Sequence, residues 1–153
     1  MNKFQFLCSN YLLWLAANPE AAIHTWGRSY YRCIDLTEEQ DYKQAITYAG
    51  AAYETAEILL KQEPVATAET IHRLADSAIL LTKLFYELHE SRLAKSVLNA
   101  TVLHFDRLLL LGAERNAVLH GCARLIEIGE KAVTFNQHFT DAEHGKTADL
   151  RIY

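Results

Sequence analysis

The chain has 153 residues, of which 50% are hydrophobic and 22% charged, with six glycines and two prolines. That length suits one domain able to bury a core without disulfides or metal, and so few breaks exclude a sandwich or barrel of many short strands. The 15 Lys and Arg against 19 Asp and Glu leave a net charge of -4, which supplies no overall basic field to attract duplex DNA.

Phe4 to Ala17 is the most apolar stretch, but Gln5, Ser9 and Asn10 interrupt it, and a spanning helix needs about 20 nearly continuous apolar residues. No membrane partner is expected. Leu15-Ala16-Ala17-Asn18-Pro19 reads as one helix ending and another starting rather than as a leader cleavage site. A short helix is therefore expected over 3–17. Asn18-Pro19-Glu20 then opens a second over 19–33, with Asn as cap, proline in the first turn and a carboxylate at the positive helix end.

Thr37-Glu38-Glu39-Gln40 has the form of a capping box and predicts a third helix from Glu38 to the stop at Pro64. Its stripe is Tyr42, Ala45, Ala49, Tyr53, Ala56 and Leu60, in the three-then-four rhythm of a helix face. A fourth helix from about Val65 carries Ile71, Leu74, Ala78, Leu81, Phe85 and Leu88. The break at 89–91 contains neither glycine nor proline. The next stripe, Ala94, Val97, Thr101, Leu108 and Leu111, is widened by Leu98, Val102, Phe105 and Leu109, as suits a central helix.

Gly112 is a C-cap candidate, and Leu119, Cys122, Ala123, Ile126 and Val133 carry a last amphipathic helix to about His138. Residues 140–153 lack a periodic apolar signal and are expected to form a flexible tail after one helical domain, 1–139. Four helices of roughly 20–26 residues are about 30–39 Å long. The expected fold is all-α: an antiparallel bundle of about four long helices with one or two shorter N-terminal ones. Ala45, Ala49, Gly50, Ala52 and Ala56 offer a close-packing face.

Cys8, Cys33 and Cys122 are odd in number and contain no CxxC pair, which suits reduced thiols in a cytoplasmic protein. Glu69 and His72 lie three apart on one helical face, but a di-iron bundle needs that pair twice. Asp141-Ala-Glu-His144 falls in the expected tail. There is no HExxH, Walker loop or GxSxG motif, and no metal or other cofactor is expected.

Arg115-Asn116-Ala117-Val118-Leu119-His120-Gly121 resembles the R-N-x-x-x-H-G core of the HEPN family, all-helical domains that in many members are metal-independent ribonucleases or toxins acting as dimers. The resemblance implies that Arg115 holds the scissile phosphate, Asn116 orients its neighbours and His120 is the general acid or base for attack by the RNA 2′-hydroxyl. Guanidinium forks match phosphate oxygens, and imidazole titrates near neutrality. Read without the resemblance, Arg115 and Asn116 are first-turn polar residues and His120 is a half-buried histidine. His120-Gly121 with Ala123 is also similar to a phosphotransfer histidine on a bundle.

Ile46, Ala49, Gly50 and Tyr53 have the spacing of the first helix of a tetratricopeptide repeat, and Leu81, Phe85, Ala94, Leu98 and Thr101 partly fit a second copy. That resemblance implies tetratricopeptide-like packing and a protein-binding scaffold. Trp26-Gly27-Arg28-Ser29-Tyr30-Tyr31-Arg32 mixes aromatics with a small basic cluster, a composition that interface hot spots favour. Trp26, Arg28, Tyr30, Tyr31 and Arg32 are therefore partner-binding candidates, with core packing as the alternative for the aromatics. The expected function is a non-enzymatic interaction module, namely an adaptor, chaperone-like or regulatory subunit, bound to another chain or to itself as a homo-oligomer. The alternative is a HEPN-like ribonuclease or toxin, complete or degenerate, with RNA as its partner.

Overall fold

A computed structural model of the chain describes residues 5–62 and 66–142, with side chains described as far as Lys131. Six helices follow in order: α1 (Ser9–Ala17), α2 (Pro19–Glu38), α3 (Tyr42–Gln62), α4 (Ala68–Glu87), α5 (Ser91–Leu110) and α6 (Arg115–Ala142). No strand occurs among the described residues. The fold is the expected all-α bundle, with one difference: α2 is as long as α4 and α5, so five helices rather than four are long and only α1 is short. The expected stop at Pro64 and start at Val65 fall outside the described residues, as does the tail from 143; the first helix, expected from residue 3, begins only at Ser9 after the non-helical residues 5–8, and residues 140–142, expected in the tail, still belong to α6.

Two starts differ in their chemistry. Asn18 stands between α1 and α2 as expected, but its side chain makes no N-cap bond; its amide Nδ2 donates back to the Trp14 carbonyl at 2.8 Å and closes α1. Thr37 does not start α3. Its hydroxyl donates to the Cys33 carbonyl at 2.8 Å inside the last turn of α2, and Asp41 caps α3 by accepting from Gln44 N–H at 3.3 Å.

The three tight turns share one device. Asp41 N–H bonds Leu36 O at 2.9 Å, Glu90 N–H bonds Phe85 O at 2.8 Å, and Ala113 N–H bonds Leu108 O at 3.0 Å. In each, the preceding residue takes the left-handed backbone: Gln40 at φ 63°, His89 at φ 62° and Gly112 at φ 86°. These are Schellman closures, two of them made without glycine. The break at 89–91 is one of them.

Cross-helix pairs set the arrangement. Tyr53 meets Thr101 at 2.9 Å and Glu57 meets His104 at 2.9 Å, so α3 and α5 run parallel. His72 faces His120 and Asp76 bridges Arg124 at 2.9 Å, so α4 and α6 are parallel too. Phe105 packs at Gly121 and Leu98 at Gly129, which makes α5 and α6 antiparallel. Trp26 Nε1 donates to Ser77 Oγ at 2.7 Å and brings α2 beside α4. The helices therefore zigzag between two rows, α2-α4-α6 and α3-α5.

The main core runs between the rows through Ala49, Ile71, Leu74, Leu81, Val97 and Phe105. The small residues of α3 are buried as expected, and at Gly50 a Cβ would run into the Phe6 ring. Glu54, also buried, accepts the backbone N–H groups of Phe6 and Leu7 at 2.8 Å each. Together they hold the N-terminal segment on α3. α1 covers that end of the rows, where Leu15, Ala22 and Leu59 form a smaller cluster.

Candidate functional site

The face of α2 that packs inward is set by Ala22, Thr25, Ser29, Cys33 and Leu36. That phase divides the candidates of this helix. Trp26 and Tyr30 lie toward α4, half-buried, stacked on each other at 4.8 Å. The Arg73 guanidinium lies 5.9 Å from the Trp26 ring. Burial and then the charge of Asp76 raise the Tyr30 phenol above its ordinary pKa. These two aromatics therefore tie α2 to α4.

Arg28, Tyr31 and Arg32 point outward and are exposed. With Ile23, His24, Gly27 and Asp35 they line a shallow depression of about 590 Å³. Ile23 and Tyr31 stand four residues either side of Gly27, so the three share one stripe; His24, Arg28 and Arg32 form a basic flank beside it. Nothing lies within 4 Å of where a Gly27 Cβ would be. A mid-helix glycine costs about 0.5–1 kcal/mol relative to alanine, and no contact among the described residues requires this one. It leaves a slot between two exposed apolar side chains.

A second polar cluster crosses from α4 to α6. His120 is exposed, not half-buried, and its ring meets that of His72 edge-on at 6.3 Å between centroids. One turn further on, Asp76 and Arg124 form their bridge. Arg115 and Asn116 are exposed in the first turn of α6. Arg115 lies five residues from His120, about 140° around the helix, so the two do not converge within one chain. Gly121 has a packing reason: a Cβ there would stand 2.9 Å from the buried Phe105 ring.

Sequence reasoning had no signal for the His72–His120 meeting, which joins residues 48 positions apart. Glu69 reaches Arg73 at 3.8 Å, while its neighbour three residues on, His72, faces His120 of α6. Among the described residues no group of three His, Cys, Asp or Glu side chains is placed to hold a metal ion; the Asp141–His144 pair lies outside the described side chains. No helix of the described residues is long and apolar enough to cross a membrane.

Comparisons of the chain with protein-family models, curated proteins and solved structures found no match.

Proposed function

We propose that the chain is a non-enzymatic interaction module, an adaptor or regulatory subunit that docks a helix of another protein on the outer face of α2. The observation that carries this reading is the Gly27 slot between exposed Ile23 and Tyr31, flanked by Arg28 and Arg32. Glycine on a helix face lets a second backbone approach closely, the apolar pair supplies burial, and the basic flank selects a partner with carboxylates on one edge. The zigzag of stacked hairpins supports the tetratricopeptide-like reading of the scaffold.

The test is affinity capture from cell extract with the wild type and with Gly27→Leu, which fills the slot. A protein retained by the wild type and by the α3 surface variant Thr47→Ala, but lost with Gly27→Leu, supports the reading. Equal retention by all three contradicts it.

The second reading, RNA cleavage, is supported by one observation: His120 is exposed and paired with a second imidazole, His72. One imidazole would take the 2′-hydroxyl proton while the other protonates the leaving 5′-oxygen. Incubation with mixed RNA in the absence of metal, beside His120→Ala, separates the two readings. Cleavage lost only in the variant would replace the interaction reading with this one.

A further inference from the structure

We propose that the outer faces of α5 and α6 form a two-fold interface with a second copy of this chain, joining the two hairpins into a four-helix bundle. The rows have two ends, and among the described residues α1 covers only the first. At the other end Leu103 and Leu110 of α5 are 65% and 87% exposed, and Leu119 and Ile126 of α6 are 43% and 56% exposed. Each pair is seven residues apart and so forms a stripe along its helix. The two stripes flank the α5–α6 seam on its outer side: Phe105 and Leu98 pack at Gly121 and Gly129, and Leu103, Leu110, Leu119 and Ile126 lie about 140–160° round their helices from Phe105 and Gly121. Stacked-helix proteins normally close their ends with polar faces; this end carries four large exposed apolar side chains among its polar ones. α3 and α4 expose no large hydrophobic side chain of this kind.

A second copy is the occupant because the surface complements itself. α5 presents Arg92 and Lys95, and α6 presents Glu130, all exposed; Glu127 of α6 is already paired with Lys131 at 3.4 Å. Among the described residues Arg92, Lys95 and Glu130 make no ion pair within the chain. Gly129 lies beside Leu98, which sets Glu130 about 3 Å along the axis from the level of Lys95. A two-fold axis running along the helices preserves these levels. It packs α5 against α6 of the second copy, apolar stripe on apolar stripe, with Lys95 beside Glu130 of that copy at both ends of the operation.

The test is sedimentation of the full chain at micromolar concentration, with helix content followed by circular dichroism. The wild type is expected at twice its 17.4 kDa mass. Lys95→Glu, and separately Glu130→Lys, each place like charges across both contacts, and each is expected to sediment as a monomer. An equal mixture of the two variants restores opposite charges at both contacts and is expected to return to the doubled mass. Leu110→Gln, at a side chain that is 87% exposed, is expected to give a folded monomer. A monomeric wild type, charge variants that remain dimeric, or a mixture that stays monomeric would each overturn the proposal.

Discussion

Two glycines in helix interiors should respond to alanine with opposite signs. A Cβ at Gly121 would stand 2.9 and 3.0 Å from two ring carbons of Phe105 and 3.6 Å from Ala75 Cβ. Ordinary carbon contacts are about 3.5–4.0 Å, so the ring has to move by roughly half an ångström or more. Phe105 is fully buried, and forcing extra volume into a packed core costs about 1–3 kcal/mol. The helix gains about 1 kcal/mol on losing a glycine, so Gly121→Ala should destabilise the chain by ~0–2 kcal/mol. At Gly27 a Cβ meets nothing within 4 Å, and the helix gain stands alone at about 0.5–1 kcal/mol. In urea, followed by circular dichroism with unchanged slope, the two midpoints should move apart. With a slope of ~1–3 kcal/mol per molar, the Gly27 shift is a few tenths of a molar upward and the Gly121 shift up to about 1 molar downward. Phe105→Leu in the Gly121→Ala background should recover part of the loss. Equal stabilisation by both alanines would refute the packing of α5 on α6 described here.

Gly112→Ala should lower stability by about 1–2 kcal/mol, although no atom lies near the added Cβ, because φ is 86°; Gln40→Gly should leave stability unchanged or raise it by less than ~1 kcal/mol, since relief of the left-handed backbone is offset by unfolded-chain entropy. Both are read from thermal midpoints. Of the three thiols, Cys8 is exposed while Cys33 is buried, and burial raises both Cys33 and Cys122; a thiol reagent on the folded chain should react first at Cys8, with the other two requiring higher pH or denaturant. Burial and then the charge of Glu57 raise the Tyr53 phenol. Above about pH 10, where an unfolded tyrosine ionises, the unfolded chain sheds that proton first, so stability falls as pH rises. Tyr53→Phe should make the alkaline fall shallower in denaturant titrations at stepped pH.

The stripes of α3, α4 and α5 were legible because their inward faces are apolar and periodic, and residues such as Ala49, Leu74 and Val97 fall where that period puts them. α2 was less so: its inward face includes Thr25 and Ser29, so the 3.6-residue phase did not stand out and the helix was ended early. The same missing phase left Trp26 and Tyr30 grouped with Arg28, Tyr31 and Arg32, though only the last three face outward. Thr37 shows why a local motif misleads. The pattern Thr-x-x-Gln suits a helix start, but the same threonine bonds equally well to the carbonyl four residues back at a helix end. Turns closed by Gln40 and His89 carry no glycine signal. The meeting of His72 with His120 depends on α4 and α6 lying side by side, which no local pattern encodes.

The claim that the outer face of α2 docks another chain is tested most directly by photo-crosslinking in cells. A photoreactive side chain replaces Tyr31 or Arg28 on α2, or Thr47 on the exposed face of α3. The account predicts discrete adducts with another protein from positions 28 and 31, none from position 47, and their disappearance when Gly27→Leu is added. Absence of adducts at position 31, or the same adducts from position 47, would contradict it.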